Sequence, residues 1–132
     1  MRFILSTIFF LFLSTAFGQN TLTVSFKGIK EVKGFLMLAL KDTKNERVKE
    51  ARVPVTKSGT VVYQFTDIPP GSYAIAVFHD ANGDKELNTN FAGIPKELYG
   101  FSNDARGAFG PPSIADQLFK VDKSTALSIT LK

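Results

Sequence analysis

The sequence contains no cysteine among its 132 residues. That absence removes disulfides, zinc–thiolate sites, iron–sulfur clusters and thiol nucleophiles together, and it excludes a lipoprotein anchored through an acylated cysteine. There is one histidine, His79, so a two-histidine metal site is excluded as well. Charge of one sign is also scarce: 16 Lys and Arg stand against 12 Asp and Glu, a formal net charge of +4. The basic residues are spread along the chain, so no nucleic acid partner is expected. Beyond the N-terminus no apolar stripe recurs at helical spacing over three turns, which argues against a helical fold.

One long apolar run is present, at the start. Met1 to Gly18 holds twelve apolar residues, five of the thirteen phenylalanines and a single charge, Arg2. The run Phe3–Leu13 falls short of the ~20 consecutive apolar residues needed to span a bilayer. It is followed by Ser14 and Thr15, small residues at Ala16 and Gly18, and a polar shift at Gln19. A basic start, a short apolar run and small residues at the last and third-last positions form a secretory signal peptide. Cleavage after Gly18 is expected, leaving residues 19–132 as one extracytoplasmic domain, periplasmic or secreted, with no membrane span. Its length suits one modest core.

Within that domain the dominant pattern has period two. Leu22, Val24 and Phe26 alternate with polar neighbours, with Lys27-Gly28 as the expected end. Phe35–Leu40 reads as a strand buried on both sides. Lys41–Arg52 is charged and loop-like, with room for a turn of helix, and residues 52–55 read as a short edge strand because Pro54 cannot donate to a central ladder. Val61, Tyr63 and Phe65 alternate before the turn Asp67-Ile68-Pro69-Pro70-Gly71, which suits a type II turn with Gly71 at positive φ. Tyr73–Phe78 is apolar on both faces and belongs mid-sheet. Leu127, Ile129 and Leu131 alternate in a last strand. Short strands separated by turn signals predict an all-β, antiparallel β-sandwich. The stretch Gly93–Ser113, rich in Gly, Pro, Asn and aromatics, reads as one long ordered loop, with a short helical turn starting near Ser113.

Three motifs stand close together: H-D-A-N-G-D from His79, G-I-P-K-E-L-Y-G-F-S from Gly93, and F-G-P-P-S from Phe109. With the flanking I-P-P-G-S-Y-A-I-A-V-F and D-Q-L-F segments, they make residues 68–119 resemble the DUF2141 family, small exported bacterial proteins with one domain after a signal peptide. The resemblance implies a transthyretin-like or immunoglobulin-like sandwich. The family's name denotes unknown function, so no reaction comes with it.

The turn Asp80–Asn88 places oxygen-bearing side chains at alternate positions: Asp80, Asn82, Asp84, Glu86 and Asn88. A hard cation such as Ca²⁺ takes roughly six to eight oxygens, and Asp, Asn and Asp at positions one, three and five can surround it. Glu86 can add a backbone carbonyl, and Asn88 or an acid from elsewhere can complete the shell. The loop is not an EF-hand, since glycine stands at position four and the twelfth residue is Phe91. Without a cation, the two or three carboxylates should repel and the loop open or recruit Lys85. The other reading is a plain Asp/Asn/Gly turn. No cofactor is required by the sequence; Ca²⁺ is the one it suggests.

His79 precedes this turn at the end of the central strand, and is expected to donate from its ring to a loop carbonyl, in the Gly93–Ser113 segment. In that segment Tyr99 and Phe101 either plug one end of the sandwich or line a ligand groove with Lys96, Glu97, Asn103 and Arg106 as polar partners. Two function classes follow, besides a structural accessory of a cell-envelope assembly, for which the sequence holds no positive signal. One is a non-catalytic exported module whose end loops bind a small molecule, a peptide or an envelope protein. The alternative is a small extracytoplasmic hydrolase with His79, Asp80 and Glu97 as acid–base groups.

Overall fold

The computed structural model describes residues 19–132. The export signal read over Met1–Gly18 lies outside the described residues. Strand β1 (Asn20–Ile29) buries Leu22, Val24 and Phe26 and leaves the alternate residues half-buried. It does not end at Lys27-Gly28 as expected. A register shift between Phe26 and Ile29, with Gly28 at φ 86°, carries the strand on to a buried Ile29. Glycine is needed there twice over, because a Cβ at position 28 would sit 2.7 Å from the Leu131 carbonyl oxygen.

Strand β2 (Phe35–Lys41) alternates more strictly than its apolar sequence suggests. Leu36, Leu38 and Leu40 are buried, while Phe35, Met37 and Ala39 are only half-buried. The expectation of burial on both sides is thus corrected: one face meets the core and the other stays partly open. The charged segment also differs from expectation. Asp42 accepts backbone N–H bonds from Lys44 and Glu46 at 2.8 and 3.0 Å, and Asn45 takes φ 64°, so the chain turns back as a hairpin. Strand β3 (Arg47–Pro54) then pairs antiparallel with β2 along its length. It is an edge strand, as Pro54 implied, but it starts five residues earlier than 52. Its charges suit an edge, where they discourage pairing with another chain. Lys49 runs across to donate to the Thr66 carbonyl at 2.7 Å.

Strand β4 (Gly59–Ile68) buries Val61, Phe65 and Ile68. In the following turn the positive φ belongs to Asp67, at 57°, and not to Gly71. The type II assignment is corrected accordingly, and the Tyr73 hydroxyl fastens the turn by donating to the Pro69 carbonyl at 2.7 Å. Strand β5 (Gly71–Asp80) lies mid-sheet between β2 and two short partners, β6 (Tyr99–Phe101) and β7 (Phe119–Val121). The Gly93–Ser113 stretch is ordered, as expected, but it contains β6 and a 3-10 turn, Ser102–Asp104. Helix α1 (Ile114–Gln117) begins where expected, the Ser113 hydroxyl accepting from the Asp116 N–H at 3.2 Å.

Strand β8 (Thr125–Thr130) completes a three-stranded sheet ordered β4-β1-β8, packed on a second sheet ordered β3-β2-β5-β6. The fold is an all-β sandwich. One pair departs from the antiparallel expectation, since β8 runs parallel to β1. Past its end, Lys132 and Tyr99 exchange backbone hydrogen bonds of 3.0 and 3.3 Å, which joins the two sheets along one side. The core between them is built from the inward residues of both, Phe26 and Ile129 from one and Leu36, Leu40, Ile75 and Val77 from the other.

The edge of β5 is interrupted and repaired by a side chain. β7 covers Gly71–Tyr73 and β6 covers Ala76–Phe78. Between them the buried Ser102 hydroxyl accepts from the Ile75 N–H at 2.9 Å and donates to the Gln117 carbonyl at 2.6 Å. The unmatched backbone donor is thereby satisfied inside the protein, where leaving it open would be costly.

Candidate functional site

The acidic turn leaves β5 at Asp80, which is fully buried. Its two carboxylate oxygens accept the backbone N–H groups of Gly83 and Lys85 at 3.1 and 2.8 Å. Asn82 Oδ1 accepts from the Asp84 N–H at 3.1 Å, and Asp84 Oδ1 from the Glu86 N–H at 2.9 Å. The first three oxygens of the sequence periodicity thus form a tight ring, the side chains of Asp80, Asn82 and Asp84 each bonding the backbone two or more residues ahead. The loop is closed without the Lys85 ammonium; it is the Lys85 backbone N–H that is used. Two amides bridge the ring, Asn88 Nδ2 lying 2.8 Å and Asn82 Nδ2 3.3 Å from Asp84 Oδ2.

An acid from elsewhere does join. Carboxylate oxygens of Asp80, Asp84 and Glu97 lie within 4.8 Å of one another, and Glu97 Oε2 accepts from the Asn88 N–H at 3.4 Å. The Glu86 carboxylate is not among the three that converge. Burial raises the Glu97 pKa above its ordinary value, with the Asp80 and Asp84 charges adding to the rise. Asp84 goes the other way: the Glu86 N–H and then the Asn88 amide hold its carboxylate ionised and lower its pKa. Neighbouring acids pushed apart in this way mark the turn as a candidate site.

The second feature is the outer face of the larger sheet. Register sets Arg52, Met37, Phe78 and Tyr99 in one row and Glu50, Ala39, Ala76 and Phe101 in the next. Two alanines side by side on central strands leave a trough between larger neighbours. Leu87 and Lys85 of the acidic turn and Arg47 of β3 border it, giving a groove of about 490 Å³. Small-molecule sites run to about 300–1,000 Å³ and are mostly apolar with a few polar groups, as here.

Over residues 24–129 the sequence matches the family model described as an uncharacterized protein conserved in bacteria (DUF2141). The chain belongs to the DUF2141 family. No curated protein and no solved structure matches it. The DUF2141 match runs from β1 to β8 and so includes both the acidic turn and every residue lining the groove.

The residues singled out in the sequence separate into three groups. Asp80, Asn82, Asp84, Asn88 and Glu97 come together. Tyr99 and Phe101 line the groove; they do not plug the sandwich end, because in β6 it is Gly100 that faces the core, a Cβ there meeting Ile129 Cγ2 at 2.9 Å. The remainder brace the scaffold. Asn103, at φ 62°, donates to the Asp116 and Leu118 carbonyls at 3.1 and 2.9 Å. Arg106 donates to the Tyr99 and Thr130 carbonyls at 3.1 and 3.2 Å. Lys96 is exposed, and its backbone N–H bonds the Asn88 carbonyl. His79 is buried with Nε2 2.7 Å from the Lys33 carbonyl oxygen. A loop carbonyl was expected there, but it comes from the β1–β2 turn and not from residues 93–113.

Sequence reasoning missed Met37, Ala39, Arg47, Glu50, Arg52, Ala76, Phe78, Lys85 and Leu87 as groove residues. The available signal was an alanine flanked by apolar residues at the centre of each of two strands, Met37-Leu38-Ala39 and Ala76-Val77-Phe78.

Proposed function

We propose that this protein is an exported, non-catalytic binding module that takes a ligand in the groove on its outer sheet face, with Ca²⁺ held in the Asp80–Asn88 turn beside it. The observation that carries this reading is the groove itself. A sheet face turned to water in a sandwich normally alternates to polar side chains, whereas here it presents Met37, Ala39, Ala76, Phe78, Tyr99 and Phe101. The signal-peptide pattern of Met1–Gly18 supports export. The Ca²⁺ part rests on the convergence of Asp80, Asp84 and Glu97. The amides of Asn82 and Asn88 lie against Asp84 Oδ2, so a cation taking their place would meet the carboxylates that Ca²⁺ requires. Lys85 and Leu87 link the two features, because both stand in the turn and border the groove. Closing the turn on a cation therefore shapes the groove wall.

Geometry favours this reading over acid–base hydrolysis. The His79 ring is buried against a backbone carbonyl, and both Asp80 oxygens already accept backbone N–H groups. Neither presents an atom to the groove.

The test is thermal melting in millimolar Ca²⁺ and in chelator, for wild type and Asp84→Ala, together with a screen of small molecules, sugars and peptides on wild type and a groove-filling Ala76→Trp variant. A cation that binds only the folded state at a hundredfold excess over Kd adds ~2.7 kcal/mol, a shift on the order of 10 °C for a domain of this size. The expected result is a Ca²⁺ shift lost in Asp84→Ala and ligand hits lost in Ala76→Trp. Superimposed wild-type curves with and without Ca²⁺ remove the cation from the reading, and hits untouched by Ala76→Trp remove the groove.

A further inference from the structure

Charge around the groove is unbalanced. Three cationic side chains, Arg47, Arg52 and Lys85, border it against one carboxylate, Glu50. Arg47 Nη1 already holds Glu50 Oε1 at 2.6 Å. Neither Arg52 nor Lys85 has an acidic partner among the described residues. The Arg52 guanidinium carbon stands 3.5 Å from the Phe35 ring centroid, which holds the group at the rim. Between these cations the floor at Ala39 and Ala76 offers contact area but no hydrogen-bonding side chain. Two residues past Ala39 along β2, burial and then the Arg47 charge lower the pKa of Lys41.

We propose that the groove binds a small amphipathic carboxylate, its alkyl or aryl body laid over Ala39 and Ala76 and its anionic head facing Arg52 and Lys85. This inference rests on the reading of the groove as a binding site and adds the class of its occupant. Other classes fit less well. A sugar needs acceptors for its hydroxyl donors, and the only side-chain carboxylate in the lining is Glu50, which Arg47 occupies. A cationic amphiphile meets two like charges, Arg52 and Lys85, that have no acidic partner among the described residues. The groove's volume of about 490 Å³ suits a single small molecule and not a lipid surface.

The experiment titrates the protein with decanoate and, separately, with decyltrimethylammonium, both below their micelle concentrations and at low ionic strength. Backbone amide shifts locate the site and give the affinities. Decanoate is expected to bind roughly tenfold more tightly than the cation of equal chain length, with the advantage shrinking as salt is added. Shift changes should centre on Ala39, Ala76, Phe78 and Tyr99. Ala76→Trp should abolish binding of both probes, with Ala39→Trp as a second filling variant, so that poor folding of one leaves the test intact. Replacing Arg52 and Lys85 together by glutamine should bring the two probes to within about threefold of each other. Equal binding of both probes by wild type, lost on filling the groove, overturns the anion preference while leaving the groove a binding site. Binding of neither probe overturns the groove reading with it. Decanoate binding that survives both filling variants, or capture by anionic vesicles without binding of monomeric decanoate, also overturns the proposal.

Discussion

Ser102→Ala tests whether one hydroxyl completes the edge of the central strand. In the wild type this side chain is wholly buried, receives the Ile75 N–H at 2.9 Å and gives its own proton to the Gln117 carbonyl at 2.6 Å. Alanine preserves the packing and removes both bonds. A buried donor left without a partner costs about 1–3 kcal/mol, and the gap between β6 and β7 contains no other strand to take the Ile75 N–H. The loss of the Gln117 contact adds to this, so about 2–3 kcal/mol is expected in all. Against a typical total of ~5–15 kcal/mol, the melting temperature should fall on the order of 10 °C. Hydrogen exchange adds a local readout: the Ile75 amide should lose protection relative to Val77, which keeps its strand partners. Ser128→Ala, exposed on β8, is the control and should melt within about 2 °C of wild type. A Ser102→Ala protein that melts as wild type, with the Ile75 amide still protected, would refute the account of the interrupted edge.

Two further outcomes follow from burial and charge. Val77, 3 % exposed, sits mid-core, so Val77→Asp should leave the chain unfolded or insoluble through an unpaired buried charge; Phe91, at the tip of its turn and fully exposed, should tolerate Phe91→Ser within about 0.5 kcal/mol, checked by denaturant unfolding. Glu97→Gln should raise the melting temperature at neutral pH in chelator. The folded-state pKa of Glu97 is raised, so its contribution is fully present below the unfolded value and is lost as pH rises through the folded one. The difference between the two proteins should therefore vanish when pH is brought below the ordinary glutamate range. An advantage of the glutamine variant that persisted at low pH would rule out charge repulsion as its cause.

What the sequence by itself determined is local. Alternation at Leu22–Phe26, Val61–Phe65 and Leu127–Leu131 is enough to place three strands and say which residues face the core, because side-chain direction in a strand depends only on parity along the chain; Tyr73–Phe78, apolar on both faces, is legible as a strand but not in its inward face. The Asp/Asn turn after His79 is legible for the same reason: the side chains of Asp80, Asn82 and Asp84 each bond a backbone group a few residues away. The tertiary structure decided whatever depends on a partner distant in sequence. β3 carries too many charges to announce itself, and becomes a strand because β2 offers it a ladder. β1 and β8 lie parallel, a relation no local pattern encodes. Glu97 reaches the acidic turn only because the chain doubles back through Asn88–Lys96, with Thr89 bridged to Pro95. The groove is the clearest case. Ala39, Ala76 and Phe101 are separated in sequence by a hairpin, a turn and a long loop, and only cross-strand register sets them side by side. A depression in a sheet is a property of neighbouring strands, so it appears when register is set and cannot be read from any one of them.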